Sequence, residues 1–285
     1  MHPKGKLLII GGAEDKVDSP PDIIEQKNEF TRYEILSELL ADNSENKKIE
    51  IVTTGSEVPD EVKKMYQKVF HEMGYSNLGF LHITERNEAR KKSYLTRAED
   101  AGVVFFSGGD QFRLSTILGG TPFVDIIKQR YQDDGNFVVA GTSAGAMAMS
   151  GVMISQGGLT EALIYRNLMT SAGLGLLPSC IIDTHFIKRG RFGRLAHAII
   201  MNPGKLGIGL GEDTALIIKK GSEAECRGSG MVVIIDGRHM GQTNITTVKE
   251  GESVYVENLK VHLLVKGCRF SINSRKVANP AMKNN

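Results

Sequence analysis

Cysteine is scarce in this chain, long apolar runs are missing, and the charges nearly cancel. The three cysteines, Cys180, Cys226 and Cys268, stand far apart and include no Cys-x-x-Cys pair. An odd number at such spacing argues against a disulfide framework and against a zinc site, and makes a reducing compartment the expectation. A formal net charge of +2 gives no electrostatic basis for nucleic acid or a membrane surface as a partner. No apolar run is long enough to span a bilayer, and Leu7-Leu8-Ile9-Ile10 behind the N-terminal lysines is too short for a signal-peptide core. These absences lead to the expectation of a cytoplasmic protein. Repeats, heptads and low-complexity segments are lacking as well.

What is present is an alternation. Strand-like runs at Leu7–Ile10, Ile49–Thr53, Leu78–Ile83 and Val103–Phe106 are interleaved with helical patterns. Phe30, Tyr33, Leu36, Leu39 and Leu40 recur at helical spacing, as do Val62, Met65, Tyr66, Val69, Phe70 and Met73 ahead of Gly74. Asp110–Leu118 and Phe123–Tyr131 also read as helices. This order predicts an α/β fold with a mostly parallel, doubly wound sheet, in which function gathers beyond the C-terminal ends of the strands. From about residue 220 the pattern changes to short β-rich runs joined by glycine turns: Met231–Asp236, Asn244–Val248, Ser253–Glu257 and Lys260–Val265. The reading is one domain over residues 1–285, with 221–273 as a β-rich C-terminal extension forming an antiparallel edge, and a frayed tail over 274–285.

The chain is organised around Phe137-Val-Val-Ala-Gly141-Thr142-Ser143-Ala144-Gly145. An apolar strand running into Gly-x-Ser-x-Gly and then small helix-forming residues has the form of a nucleophile elbow. The turn projects the Ser143 hydroxyl out of the sheet, and the Ala144 N–H at the following helix start is placed to hold an oxyanion. Gly108-Gly109 offers a second donor, most directly Gly109, where no side chain keeps a carbonyl away. A serine needs a base oriented by a third group. His185, in Asp183-Thr184-His185-Phe186 after an apolar run, is the best base; His71 and His82 read as structural, His197 lies in a helix, and His239 or His262 as base would imply an α/β-hydrolase order instead. Glu212, Asp213 and Asp183 are the alternatives for the orienting acid. Asp110 and Gln111 extend from the glycine loop towards a substrate. Arg189, Arg191 and Arg194 suit carboxylate recognition, although their spacing does not put all three on one helical face.

With the elbow, Asp-Thr-His-Phe, the arginine cluster and Gly211-Glu-Asp-Thr-Ala215 in one order, the chain resembles the cyanophycinases of peptidase family S51, from about Leu8 to Leu216. The resemblance implies a flavodoxin-like or class I glutamine-amidotransferase-like fold, no metal or organic cofactor, and a homodimer. It implies hydrolysis of cyanophycin, a poly-aspartate with arginine in isopeptide linkage on its side chains, to β-aspartyl-arginine dipeptides. Carried over by motif, Ser143 is the nucleophile, His185 the base and Glu212 the third member. Gln111, Asp183, Arg189, Arg191 and Arg194 match substrate-pocket positions, and Asp110, Asp183 or Glu14 suits the substrate's guanidinium groups. One departure is Thr184, where the family pattern often has a glutamine whose amide can contact substrate. The rival readings are an aspartyl dipeptidase of the same family, acting on aspartyl or isoaspartyl peptides, and a non-catalytic anion-binding protein. An amidotransferase is disfavoured because its elbow normally carries cysteine.

Overall fold

In the computed structural model, residues 2–14, 31–41, 48–158 and 162–278 are described. In chain order the elements are β1 (Lys6–Ile10), α1 (Glu34–Ser37), β2 (Ile49–Val52), α2 (Pro59–Glu72), β3 (Leu78–Leu81), α3 (Lys92–Asp100), β4 (Val103–Phe106), α4 (Gln111–Leu118), α5 (Pro122–Asp133), β5 (Val138–Thr142) and α6 (Ala144–Ala148). There follow β6 (Val152–Gly157), β7 (Leu168–Ala172), β8 (Cys180–Asp183), α7 (Phe192–Met201), β9 (Leu206–Leu210), β10 (Thr214–Lys219), β11 (Glu223–Gly228), β12 (Val232–Asp236), β13 (Lys260–Leu264), β14 (Arg269–Ser271) and β15 (Lys276–Ala278).

The larger sheet has the order β15-β14-β11-β10-β1-β5-β4-β2-β3. From β1 to β3 it is parallel, and from β1 to β15 every pairing is antiparallel. The central strands β1, β4 and β5 are buried along their whole length because both faces of the sheet are covered there. Leu7 and Ile9 of β1 bury on the side of α3, α4 and α5, while Leu8 and Ile10 bury with α1 and α2. Each such side chain contributes roughly 1.5–3 kcal/mol on burial. The expected doubly wound parallel sheet is therefore present.

The β-rich end is arranged differently from the expectation. Only β11, β14 and β15 extend the large sheet. Strands β12 and β13 join β9 and β8 in a separate four-stranded sheet, ordered β13-β12-β9-β8, whose core is continuous with one face of the large sheet. The runs Asn244–Val248 and Ser253–Glu257 are not strands; the isolated bridges here pair Thr243 with Val256 and Ser253 with Ile164. There the Asn244 side chain takes the backbone partners, its amide donating to the Ser253 carbonyl and its Oδ1 accepting from Tyr255 N–H, which displaces a ladder.

Two further expectations need correction. The helix read from Phe30 to Leu40 amounts to α1 alone, because Tyr33 stands in a left-handed conformation (φ 61°) just before it; Phe30 lies outside the described residues. The tail is not frayed from 274. Arg275 is buried on Asp236, and Lys276–Ala278 pair as β15. Residues 279–285 lie outside the described residues. Among the described residues no helix is long and apolar enough to cross a membrane, and no cluster of His, Cys, Asp and Glu could hold a metal ion.

Candidate active site

The loops beyond β1, β2, β4 and β5 share the C-terminal edge of the parallel strands, and β8 and β9 end facing them. Ser143 follows β5 directly, with φ 51° and ψ −118°. A side chain in this region costs on the order of 1–3 kcal/mol and persists only where the surroundings enforce it. The flanking glycines are required by close packing: a Cβ on Gly141 would press on the Gly145 backbone, and one on Gly145 would run into the Phe106 carbonyl.

The end of β1 carries the rest of the assembly. The Ser143 N–H donates to the Ile10 carbonyl (3.0 Å), His185 N–H to the Gly11 carbonyl (2.9 Å) and Asp213 N–H to the Gly12 carbonyl (3.0 Å). Three consecutive carbonyls thus hold the elbow, the histidine loop and the turn bearing Glu212. Ala13, Ser143, His185 and Asp213 all have positive φ. Backbone strain is concentrated where these loops converge.

The side chains form a continuous chain of contacts. Ser143 Oγ lies 2.9 Å from His185 Nε2, and His185 Nδ1 lies 2.7 Å from Glu212 Oε1. Lys188, which sequence reasoning did not single out, donates to Glu212 Oε2 at 3.1 Å. A carboxylate on Nδ1 fixes the tautomer that leaves Nε2 free to accept the serine proton. Burial pushes the His185 pKa below its ordinary value; the hydrogen bond it donates to Glu212 opposes this, and the positive charge of Arg189 adds to it. For Glu212 burial acts upward, but the hydrogen bonds of His185 and Lys188 win and hold the carboxyl below the usual range. The neutral imidazole and ionised carboxylate are therefore the resting pair near neutral pH.

A cleft of about 230 Å³ opens over this chain, lined by Gly12, Tyr66, Gly108, Gly109, Ser143 and His185 among others. Gly12 must be glycine: its φ is 99°, and a Cβ would lie 2.5 Å from His185 Cε1. A Cβ on Gly109 (φ 133°) would run into the Gly55 carbonyl. Among the described residues the N–H groups of Gly109 and Ala144 have no backbone acceptor.

Asp213 does not reach the imidazole; its carboxylate accepts from Ser229. Asp183 is fully buried, bidentate with Arg194 (both contacts 2.6 Å) and in contact with Arg191 at 3.1 Å. Thr184 is buried beside it, and its carbonyl accepts from Arg191 at 2.8 Å. Expected at the substrate, Asp183, Thr184, Arg191 and Arg194 instead form a buried polar brace under the His185 loop, because β8 is covered on both faces. Arg189 is exposed on that loop. Asp110 caps α4, with Oδ1 accepting from Phe112 and Arg113 N–H. The Gln111 amide donates to the carbonyls of Ile154 (3.2 Å) and Ser155 (3.0 Å). Glu14 is buried and accepts from Tyr66 (2.8 Å) and from the Thr142 hydroxyl (2.7 Å), so it supports the elbow from below.

The family model described as peptidase family S51 matches residues 22–225. The cyanophycinase of Trichormus variabilis is 36% identical over 275 residues, covering 96% of this chain and 88% of that protein. The cyanophycinase of Geminocystis herdmanii is 34% identical over 277 residues, covering 97% and 96%. Among solved structures, a peptidase from an acI-B1 Actinobacterium superposes with a TM-score of 0.65 at 22% identity, covering 95% of this chain and 98% of that one, a likeness of fold.

Proposed function

This chain belongs to peptidase family S51, and from that premise we propose that it is a serine exopeptidase that degrades cyanophycin to β-aspartyl-arginine dipeptides. The observation that carries the reading is the Ser143–His185–Glu212 chain of contacts at 2.9 and 2.7 Å, in a protein similar over 96–97% of its length, at 34–36% identity, to cyanophycinases.

In this reading His185 Nε2 takes the Ser143 proton as Oγ attacks a backbone aspartyl carbonyl. The Glu212 carboxylate stabilises the imidazolium that forms. The N–H groups of Gly109 and Ala144 receive the oxyanion, in a site where fixed donors cost no reorganisation. His185 then protonates the leaving amine, and water, deprotonated by the same imidazole, releases the dipeptide from the acyl-enzyme. We assign substrate carboxylate contact to Arg189, the exposed member of the arginine cluster. Asp110, whose second carboxylate oxygen is outside the cap, suits a guanidinium. Asp183, Arg191 and Arg194 act one layer back, by holding the His185 loop. The reading extends to a homodimer, as the family resemblance implies, and to a cytoplasmic setting, as the scarce cysteines and the lack of long apolar runs lead one to expect; sedimentation of the purified protein tests the first and cell fractionation the second.

The test of function is incubation with purified cyanophycin and mass spectrometry of the soluble products, with Ser143→Ala as control. β-Aspartyl-arginine released by the wild type alone supports both reaction and nucleophile. Cleavage of aspartyl dipeptides without release from the polymer would transfer the protein to a dipeptidase role. No turnover of either would overturn the substrate assignment.

A further inference from the structure

Cys226 and Cys268, far apart in sequence, face each other in the antiparallel half of the large sheet. The β11–β14 ladder pairs Glu223 with Ser271, Ala224 with Phe270 and Glu225 with Arg269. The next pair in this register is Cys226 with Cys268, and the Cys226 N–H donates to the Cys268 carbonyl at 3.0 Å. Gly267, with φ 80°, donates its N–H to the Cys226 carbonyl at 3.0 Å. A left-handed glycine followed by a residue that rejoins the ladder is a β-bulge of the glycine type. It turns the chain so that Cys268 lands opposite Cys226.

Directly opposed residues project to the same face of a sheet. Ala224, Cys226 and Phe270 are buried in one cluster, with Cys268 packed against it. Opposed Cα atoms in an antiparallel pair are about 4.5–5.5 Å apart, inside the roughly 4.4–6.8 Å that a disulfide accepts. Cys180 lies on β8 in the other sheet.

We propose that Cys226 and Cys268 form an intramolecular cross-strand disulfide on exchange with a small-molecule disulfide such as oxidised glutathione. Cys268 is the half-buried member and the point of entry; Cys226 is buried, and burial pushes its thiol up to about 12. The Cys268 thiolate attacks one sulfur of the small disulfide, forming a mixed disulfide and expelling one thiolate. Cys226 then loses its proton and attacks the Cys268 sulfur; the Cys226–Cys268 bond forms and the second small thiolate leaves. The two cysteines are oxidised by two electrons, the small disulfide is reduced to two thiols, and the two protons pass to them through solvent. The second step is the slow one. The bond staples β14 to β11, the strand that leads to Ser229, whose N–H and hydroxyl hold Asp213 beside Glu212.

The experiment incubates the full-length protein with oxidised glutathione, blocks free thiols by alkylation, and maps peptides without reduction. The expected result is a Cys226 peptide joined to a Cys268 peptide, lighter by two hydrogens than their sum, with Cys180 alkylated. The oxidised protein should melt about 5 °C higher than the reduced one, and dithiothreitol should reverse the gain. Cys268→Ser, at the half-buried position, should abolish both the cross-link and the shift. A stable glutathione adduct on Cys268 with Cys226 still alkylatable, a disulfide between two chains, or no modification would each overturn the proposal. The peptide map on the unmutated protein decides the question even if a variant folds poorly.

Discussion

The parallel half of the large sheet and the small four-stranded sheet contribute to the site in different ways. The first supplies Ser143 and the loop of Gly109 through strand–turn–helix units whose geometry is local. The second supplies His185 and Glu212 from the ends of β8 and β9, adjacent parallel strands. Nothing in the local sequence of either strand brings them to the serine. They are brought there by docking, through the Gly11 and Gly12 carbonyls and the close approach of Gly12 to the imidazole. A side chain can thus be strongly encoded in its own loop and still depend on a contact between two sheets for its place beside the serine.

The largest expected effect comes from the locally built half. Ser143→Ala should lower kcat by about 10⁵–10⁶-fold, with circular dichroism unchanged, since only the hydroxyl is lost. A smaller loss of about 10³–10⁴-fold is expected for Glu212→Gln, which weakens the stabilisation of imidazolium but leaves the nucleophile in place. Equal losses for the two would erase the distinction between the halves. Gly12→Ala tests the docking itself. The added methyl must displace the imidazole, and a fall in kcat of about 10²-fold with little change in KM is expected. If kcat holds, the sheet contact is not what positions the base.

Two further measurements sharpen the contrast on the side of the small sheet. Asp183→Asn removes the carboxylate between two buried guanidiniums, and breaking such a buried cluster costs about 3–5 kcal/mol. The melting temperature should then drop by about 10 °C. An unchanged melting temperature would mean that the cluster does not brace the fold. The smallest effect is in the pH profile. With His185 as the proposed base, turnover needs its neutral form, and burial lowers its pKa, so the acid limb of kcat/KM should lie below the ordinary histidine value. Arg189→Ala removes a positive charge that also lowers that pKa. The limb should therefore move to higher pH, with activity lost first on the acid side.

The cysteines show the same division as the site. Read along the chain, three scattered thiols argue against pairing; one register line across β11 and β14 sets two of them face to face. The β-rich end repeats the lesson with its strands. Met231–Asp236 and Lys260–Val265 were legible as strands, but an apolar run does not state which sheet it joins. Asn244–Val248 was not a strand because its first residue's side chain bonds the backbone that a partner strand would need.

What the sequence determined by itself is what neighbouring residues enforce: the order of parallel strands and the elbow at Ser143 with its glycines. These follow from periodicity and from the sterics of a tight turn, both carried within a few positions. Which of three acids meets the histidine, and which arginines are buried, was decided by tertiary structure. Glu212, Asp213 and Asp183 have the same chemistry and similar settings in sequence. Only the docking of two sheets gives one of them the imidazole at 2.7 Å and commits the other two to Ser229 and to buried guanidiniums. Carboxylates select partners by distance and desolvation, and those are set across the fold rather than along the chain.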